Sequence, residues 1–288
     1  MYWTPRRENF RALIESDTCV HPGSVFDPIS ARIAEDLGFE IGMFAGSVAS
    51  LTVLGAPDLI VLTLTEFADQ AYRINRAGTL PLLVDADHGY GNALNVRRTV
   101  EELENAGVAA LTIEDTDLPQ AFGSGGKTQM LNIDEGVGKM RAALSGRRDR
   151  SLVIAGRTSA MSALGIEDAI ARGRAYQAAG IDAMFFTGVS ESHEIEELAS
   201  AIDIPIFLGG LGTGLLADRS FLARNHVRIS LQGHHPYLAS VKATYETLAL
   251  LRTGTSPNDI SGKPSSDLIK TVTRADDYQR WIEEFLGG

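Results

Sequence analysis

The stretch Leu82–Asp115, LLVDADHGYGNALNVRRTVEELENAGVAALTIED, holds one complete strand–helix–strand unit. Leu82-Leu83-Val84 is a short, continuous apolar run of the kind a strand covered on both faces requires. It runs into Asp85-Ala86-Asp87 and a glycine-bearing turn, Gly89-Tyr90-Gly91. Leu94–Ala106 is amphipathic and predicts a helix. Asn105-Ala106-Gly107-Val108 ends it, with glycine supplying the left-handed residue after the helix and an apolar residue entering the next strand. That strand, near Ala110–Ile113, ends on Glu114-Asp115.

The same helix-stop phrase recurs at Asp36-Leu37-Gly38-Phe39 and Ala178-Ala179-Gly180-Ile181. Further strands are predicted near Cys19–Val20, Ile41–Ala45, Leu152–Arg157, Ala183–Thr187, Ile206–Leu208 and Val227–Leu231. Between them lie helical patterns at Pro28–Leu37, Glu135–Leu144, Ile166–Ala179 and His193–Ala201. Strand–helix alternation implies parallel strands covered by helices. About eight such units predict an α/β fold of the closed (β/α)8 TIM type, with a doubly wound open sheet as the alternative. A long helix, Pro236–Arg252, follows the eighth strand. Gly254–Ser266 reads as a linker and Asp276–Leu286 as a last helix. The expected division is therefore a catalytic barrel over 1–253 and a linker with helical arm over 254–288, the arm packing on another subunit.

The chain has 288 residues, 44% of them hydrophobic, and a formal net charge of −11. No block of Lys or Arg stands out, which argues against nucleic acid or an anionic membrane as partner. Ile41–Leu64 is apolar enough to raise the question of a membrane span, but Gly42, Gly46, Gly55, Pro57 and Asp58 interrupt it. It reads as a strand, a loop and a second apolar segment. Cys19 is the one cysteine, so neither an internal disulfide nor a cysteine-rich metal site is available. Met1–Glu8 lacks the apolar core of a signal peptide. A cytoplasmic location is the expectation.

In a barrel, functional groups project from the C-terminal ends of the strands. Asp85 and Asp87 end one strand and Glu114 the next, and such neighbouring acids repel unless a cation compensates them. Carboxylates with retained water suit Mg²⁺, with Mn²⁺ as the alternative, better than Zn²⁺. The competing reading makes these acids helix caps or partners of Arg97 and Arg98. Asp58, in the loop after the second strand, is a further candidate, though an aspartate after proline also suits a turn. Gly46-Ser47 can turn backbone N–H groups toward an anion. Arg157 at the end of the fifth strand needs a carboxylate partner, from substrate or from the acids. After the eighth strand stand His234 and His235, of which His234 is better placed. Two glycine-rich stretches suggest nucleotides less than they suggest loops. Gly123–Thr128 lacks the first glycine of a phosphate loop and reads as a lid. Gly209–Gly214 comes late in the chain, without the acid that would bind a ribose, and shapes a mouth.

Taken together, Ser24–Arg32, Gly46-Ser47, Asp85–Asn92 and Ile113-Glu114-Asp115 closely resemble the isocitrate lyase/phosphoenolpyruvate mutase superfamily, over most of the chain to about Tyr245. The resemblance implies an (α/β)8 barrel with a helix swapped between partners, and a homotetramer built as a dimer of dimers. It also implies Mg²⁺ held by Asp85 directly and by Asp87, Glu114 and Asp58 largely through water. Its substrates are small 2-oxo or 2-hydroxy acids that react through a metal-stabilised enolate. The carbon–carbon lyases of the superfamily carry a cysteine and a histidine in the lid, and Gln120–Thr128 has neither. The phosphonate mutases follow Glu-Asp with lysine, where this chain has Thr116. Gly233-His234 fits the branch that decarboxylates oxaloacetate to pyruvate and CO₂. In that branch Gly46, the Ser47 amide and Arg157 hold the 2-oxo-carboxylate end, and His234 meets the departing carboxylate or the incoming proton. The seventh-strand loop, Gly209–Gly214, brings no aromatic or ionisable side chain. The alternatives are a lyase acting on a 2-methylisocitrate-like or 2,3-dimethylmalate-like acid, and a barrel turned to binding, against which the intact strand-end acids speak.

Overall fold

The computed structural model describes residues 2–287. Strands β1 Gly23–Ser24, β2 Gly42–Ala45, β3 Leu82–Asp85, β4 Ala110–Glu114, β5 Val153–Thr158, β6 Ala183–Thr187, β7 Ile206–Gly209 and β8 Val227–Ser230 form one sheet. Its eight strands pair in sequence order, each parallel to the next. Val20 bridges to Ile229 in parallel, which brings the chain ahead of β1 back to β8 and closes the (β/α)8 barrel. The first strand differs from the expectation at Cys19–Val20. Those residues supply only that bridge, and the ladder to β2 is made by Gly23 and Ser24, whose small polar types carry no strand signal.

The helices are α1 Thr4–Glu15, α2 Pro28–Asp36, α3 Gly46–Ala49, α4 Leu64–Asn75, α5 Ala93–Asn105, α6 Ile133–Gly146, α7 Ala160–Ala163, α8 Ile166–Ala179, α9 Ser192–Ala201, α10 Thr213–Ala217, α11 Arg219–Arg224, α12 His235–Arg252, α13 Ser266–Thr273 and α14 Ala275–Leu286. Gly46-Ser47, expected as a turn, opens α3, and the helical path continues as a π-turn over Ser50–Leu54 to a left-handed Gly55. No clear apolar stripe announces α1, because half of its buried face is Arg6 and Arg7. Arg7 lies buried, its Nε donating to the Val108 carbonyl and its Nη1 to Asp149 at 2.9 Å. Arg6 bonds the carbonyls of Asn75 and Gly78, and Arg11 bonds Asp182. These partners lie at the end of α4 or in the loops that lead into β3, β4, β5 and β6. The helix therefore seals the N-terminal end of the barrel with ion pairs and leaves the C-terminal end for function.

The chain divides into two compact units, Met1–His234 and His235–Gly288. The division falls ahead of the linker, so the helix after the eighth strand goes with the tail. In the first unit Phe44 stacks on Phe67 at 5.1 Å, and Phe10 of α1 meets Phe207 of β7 edge-on. In the second, α14 is amphipathic and presents Trp281, Ile282 and Phe285 to solvent. Among the described residues no helix is long and apolar enough to cross a membrane.

Candidate active site

A cavity of about 590 Å³ opens at the C-terminal ends of the strands. Asp58, Asp85, Asp87, Glu114, Arg157, Ser47 and His234 all line it. Parallel register puts them there. Ala45 stands beside Asp85 across β2 and β3, and Glu114 beside Arg157 across β4 and β5.

Each acid is held differently. Asp85 Oδ1 accepts from Thr112 Oγ1 at 2.8 Å, and Thr112 is its register partner on β4. Asp85 Oδ2 accepts from Arg157 Nη1. Glu114 Oε2 accepts from Thr116 Oγ1 at 3.0 Å and lies 3.6 Å from Arg157 Nε. Asp87 has a left-handed backbone, φ 48°, inside a turn where Gly89, Tyr90 and Gly91 also have positive φ. That turn folds its carboxylate back over Gly46. A Cβ on Gly46 would fall 2.4 Å from Asp87 Oδ1 and 2.5 Å from Oδ2. Glycine is thus required there by the carboxylate rather than by its own backbone. Asp58 sits exposed at the rim.

Among the described residues Arg157 is the one guanidinium that lines the cavity with these four acids. Its charge lies over the Phe185 ring at 5.5 Å, and its Nε is buried without a hydrogen-bond partner. An arginine has five N–H donors, and here only Nη1 is engaged, by Asp85. The pairing outweighs burial and holds its pKa above the ordinary value. Arg97 and Arg98 pair with Glu101 and Glu102 on α5 instead, so they do not neutralise the strand-end acids.

The excess of negative charge appears in the acids' proton affinities. Burial first, then Asp85, Glu114 and Asp58, raise the Asp87 pKa well above the carboxylate range. Burial likewise raises Glu114, and partial desolvation at the rim raises Asp58, with Asp85 adding to both and Arg157 opposing. Folded-state values above the unfolded ones mean stability that is full at acid pH and lost as pH rises through the raised values. A divalent cation would replace those protons. Its binding should therefore release protons and stabilise the fold more at pH 8 than at pH 6. We expect millimolar Mg²⁺ to raise the melting temperature by a few degrees more at pH 8, read by differential scanning fluorimetry. An equal gain at both pH values would remove these acids from the cation's site.

The residues fit such a cation by the chemistry of their donors: carboxylates only, in a wall that protein charge leaves strongly acidic. Among the described residues no three His, Cys, Asp or Glu groups converge closely enough to enclose an ion by themselves. That arrangement suits a hard ion that keeps several waters and takes few direct protein ligands.

On the opposite wall, His234 Nδ1 lies 2.9 Å from Ser24 Oγ of β1. Neighbouring His235 starts α12, is exposed and does not border the cavity. Gly209 and Gly210 line the mouth, as expected of that loop, and Leu118, Pro119 and Gln120 contribute from the lid segment. A Cβ on Gly209 would press on the Phe185 ring at 3.1 Å. Asp115 does not join the site; it is fully buried and bonds Arg172 and Tyr176.

The supports Ser24, Thr112, Thr116 and Phe185 went unread in the sequence. Thr112 and Thr116 stand two residues either side of Glu114, a spacing that puts strand residues on one face. Ser24 and Phe185 gave no local signal, because their partners lie 210 residues and 28 residues away in the chain.

Comparison with known proteins follows the same lines. The family model for phosphoenolpyruvate phosphomutase matches residues 10–252. An oxaloacetate decarboxylase of Bradyrhizobium sp. (strain ORS 278) is 55% identical over 282 residues, 98% of this chain and 97% of its own. The structure of oxaloacetate acetylhydrolase with the inhibitor 3,3-difluorooxalacetate superposes with a TM-score of 0.86 at 27% identity, covering 99% of this chain and 98% of that one. Phosphonopyruvate hydrolase in complex with oxalate and Mg²⁺ gives 0.83 at 28% identity, covering 97% and 98%.

Proposed function

The chain belongs to the phosphoenolpyruvate phosphomutase family, and from that membership and the furnishing of its cavity we propose that it decarboxylates oxaloacetate to pyruvate and CO₂. The observation that carries this reading is the pairing of an all-carboxylate wall with a single under-used guanidinium, Arg157, in a cavity whose lid brings no thiol or imidazole. Similarity over the whole chain to an oxaloacetate decarboxylase supports it.

Asp85 would hold Mg²⁺, or Mn²⁺, directly, with Asp87, Glu114 and Asp58 acting through water. When bound, the ion would supply the positive charge that stabilises an enolate. The protein's own work is binding and orientation. Arg157 and the first-turn amide of Ser47 would take the C1 carboxylate, since the amides at a helix start have no acceptor within it. As the C3–C4 bond breaks, its electron pair moves into the C2–C3 bond, the carbonyl pair moves onto oxygen, and CO₂ departs. C3 then takes a proton, from water or from His234. No strong base or nucleophile is needed, in keeping with a lid devoid of cysteine. Ser24 holds the His234 ring at Nδ1.

Pyruvate release from oxaloacetate, 2-methylisocitrate, 2,3-dimethylmalate and phosphonopyruvate, each with Mg²⁺ and with EDTA, tests the proposal. Turnover of a hydroxy acid but not of oxaloacetate would make the protein a carbon–carbon lyase. His234→Ala should lower kcat on the order of 10²-fold, as loss of a proton donor does. His235→Ala should leave kcat within about twofold, since it removes an exposed side chain outside the cavity. The reverse order would move the role to His235. The arrangement of the chain into a homotetramer in the cytoplasm is proposed on the same family grounds.

A further inference from the structure

Asp115 follows Glu114 out of β4 but turns away from the cavity. Its Oδ2 accepts from Tyr176 Oη at 2.6 Å and from Arg172 Nη1 at 2.9 Å. The same Nη1 donates to the Leu131 carbonyl at 2.8 Å, and Arg172 Nε reaches Asp168. A Cβ on Gly136 of α6 would fall 2.0 Å from Tyr176 Oη, so α6 leaves that hydroxyl its place.

One guanidinium on α8 therefore grips two points of the chain, Asp115 and Leu131, between which the lid segment runs. The two roots are also zipped to each other. Leu131 N donates to Asp115 O at 2.9 Å, Asp117 N to Gln129 O at 2.8 Å, and Thr116 bridges Met130. Beyond the zipper, among the described residues, 118–128 forms hydrogen bonds only within itself. Gly123, Gly125 and Gly126 have positive φ and open space around them. Yet Leu118, Pro119 and Gln120 form part of the cavity wall, and Thr116 at the root holds Glu114. The segment is placed by its roots alone.

We infer that Asp115, Arg172 and Tyr176 are positioning residues that fix the roots of the 118–128 segment and through them the lid wall and Glu114. They touch neither substrate nor reacting atoms. The inference rests on the proposed decarboxylation only where substrate is used; its main readout needs none. Lys127 is the sole Lys or Arg in 116–130 and is exposed, so trypsin reports on this segment at one bond.

In Arg172→Met, nicking after Lys127, followed by mass spectrometry on the whole protein, should run about tenfold faster than in the wild type, with other sites unchanged. KM for oxaloacetate should rise more than kcat falls. Arg172→Lys, which keeps the charge but not the fork, should fall between the two. If Arg172→Met does not fold, Tyr176→Phe removes one bond to Asp115 and should speed nicking about two- to fivefold. Nicking at the wild-type rate in the variants that fold would overturn the inference. So would acceleration spread over the whole chain, which would make the cluster a support of the fold at large. A wild type inactive on oxaloacetate, with faster nicking in the variants, would sink the proposed substrate and leave the clamp standing.

Discussion

Asp85→Ala should abolish decarboxylation that depends on Mg²⁺, a loss on the order of 10³-fold or more in kcat. Asp85 is the acid with two fixed partners, Thr112 on one oxygen and Arg157 on the other, so its carboxylate is held in place before any cation arrives. Asp87 and Glu114 have their proton affinity raised, by burial first of all. Positive charge brought to them would lower that affinity. Removing Asp85 takes away the proposed direct ligand and leaves Arg157 with Glu114 at 3.6 Å as its nearest acid. Asp85→Asn keeps shape and the Thr112 contact but not the charge. It should be nearly as inactive, and Mn²⁺ titrated against either variant and followed by electron paramagnetic resonance should stay free in solution. Retained activity with lost Mn²⁺ binding would separate the metal from the chemistry.

Arg157→Met should lower kcat/KM for oxaloacetate on the order of 10² to 10³-fold, because it removes the proposed carboxylate clamp and the one positive charge facing four acids. Part of that loss comes from the acids themselves. Asp87 and Glu114 feel the guanidinium, which opposes their raised proton affinity, so without it a cation must compete harder with their protons. The variant should therefore recover part of its activity as pH rises, where the wild type changes less. Arg157→Lys restores the charge without the planar fork and should recover proton release but not the full KM. An Arg157→Met enzyme with an unchanged KM would place the carboxylate clamp elsewhere in the cavity.

How much of this was legible in the sequence depended on whether the signal was local. The run from Leu82 to Glu114 displayed its strands, its helix and its acids in order, because a strand covered on both faces and a helix stop are each written within a few residues. Seven strands were placed within about two residues by such signals. The first strand was missed because Gly23 and Ser24 pair through the backbone alone. Helix α1 was missed because its buried face is charged, against the usual pattern. At the site, the acids and Arg157 were visible as polar residues at the ends of apolar runs. The supports were not, since Ser24 meets His234 only when the barrel closes. Gly46 was read as a donor of backbone amides; its steric role, making room for the Asp87 carboxylate, depends on a left-handed turn that only the three-dimensional structure displays. Asp115 shows the converse. It sits in the same motif as Glu114, yet the alternation of the strand turns it into the helix layer, where Arg172 and Tyr176 receive it.

The proposed role of the strand-end carboxylates is to hold a divalent ion that serves decarboxylation of oxaloacetate. Its most direct test is pyruvate formation by metal-stripped protein as Mg²⁺ is titrated, read against a protein-free blank at each Mg²⁺ concentration. No rate above the blank is expected without the ion, a saturable rise with it, and return to the blank on adding EDTA. Full turnover by the stripped protein would contradict it.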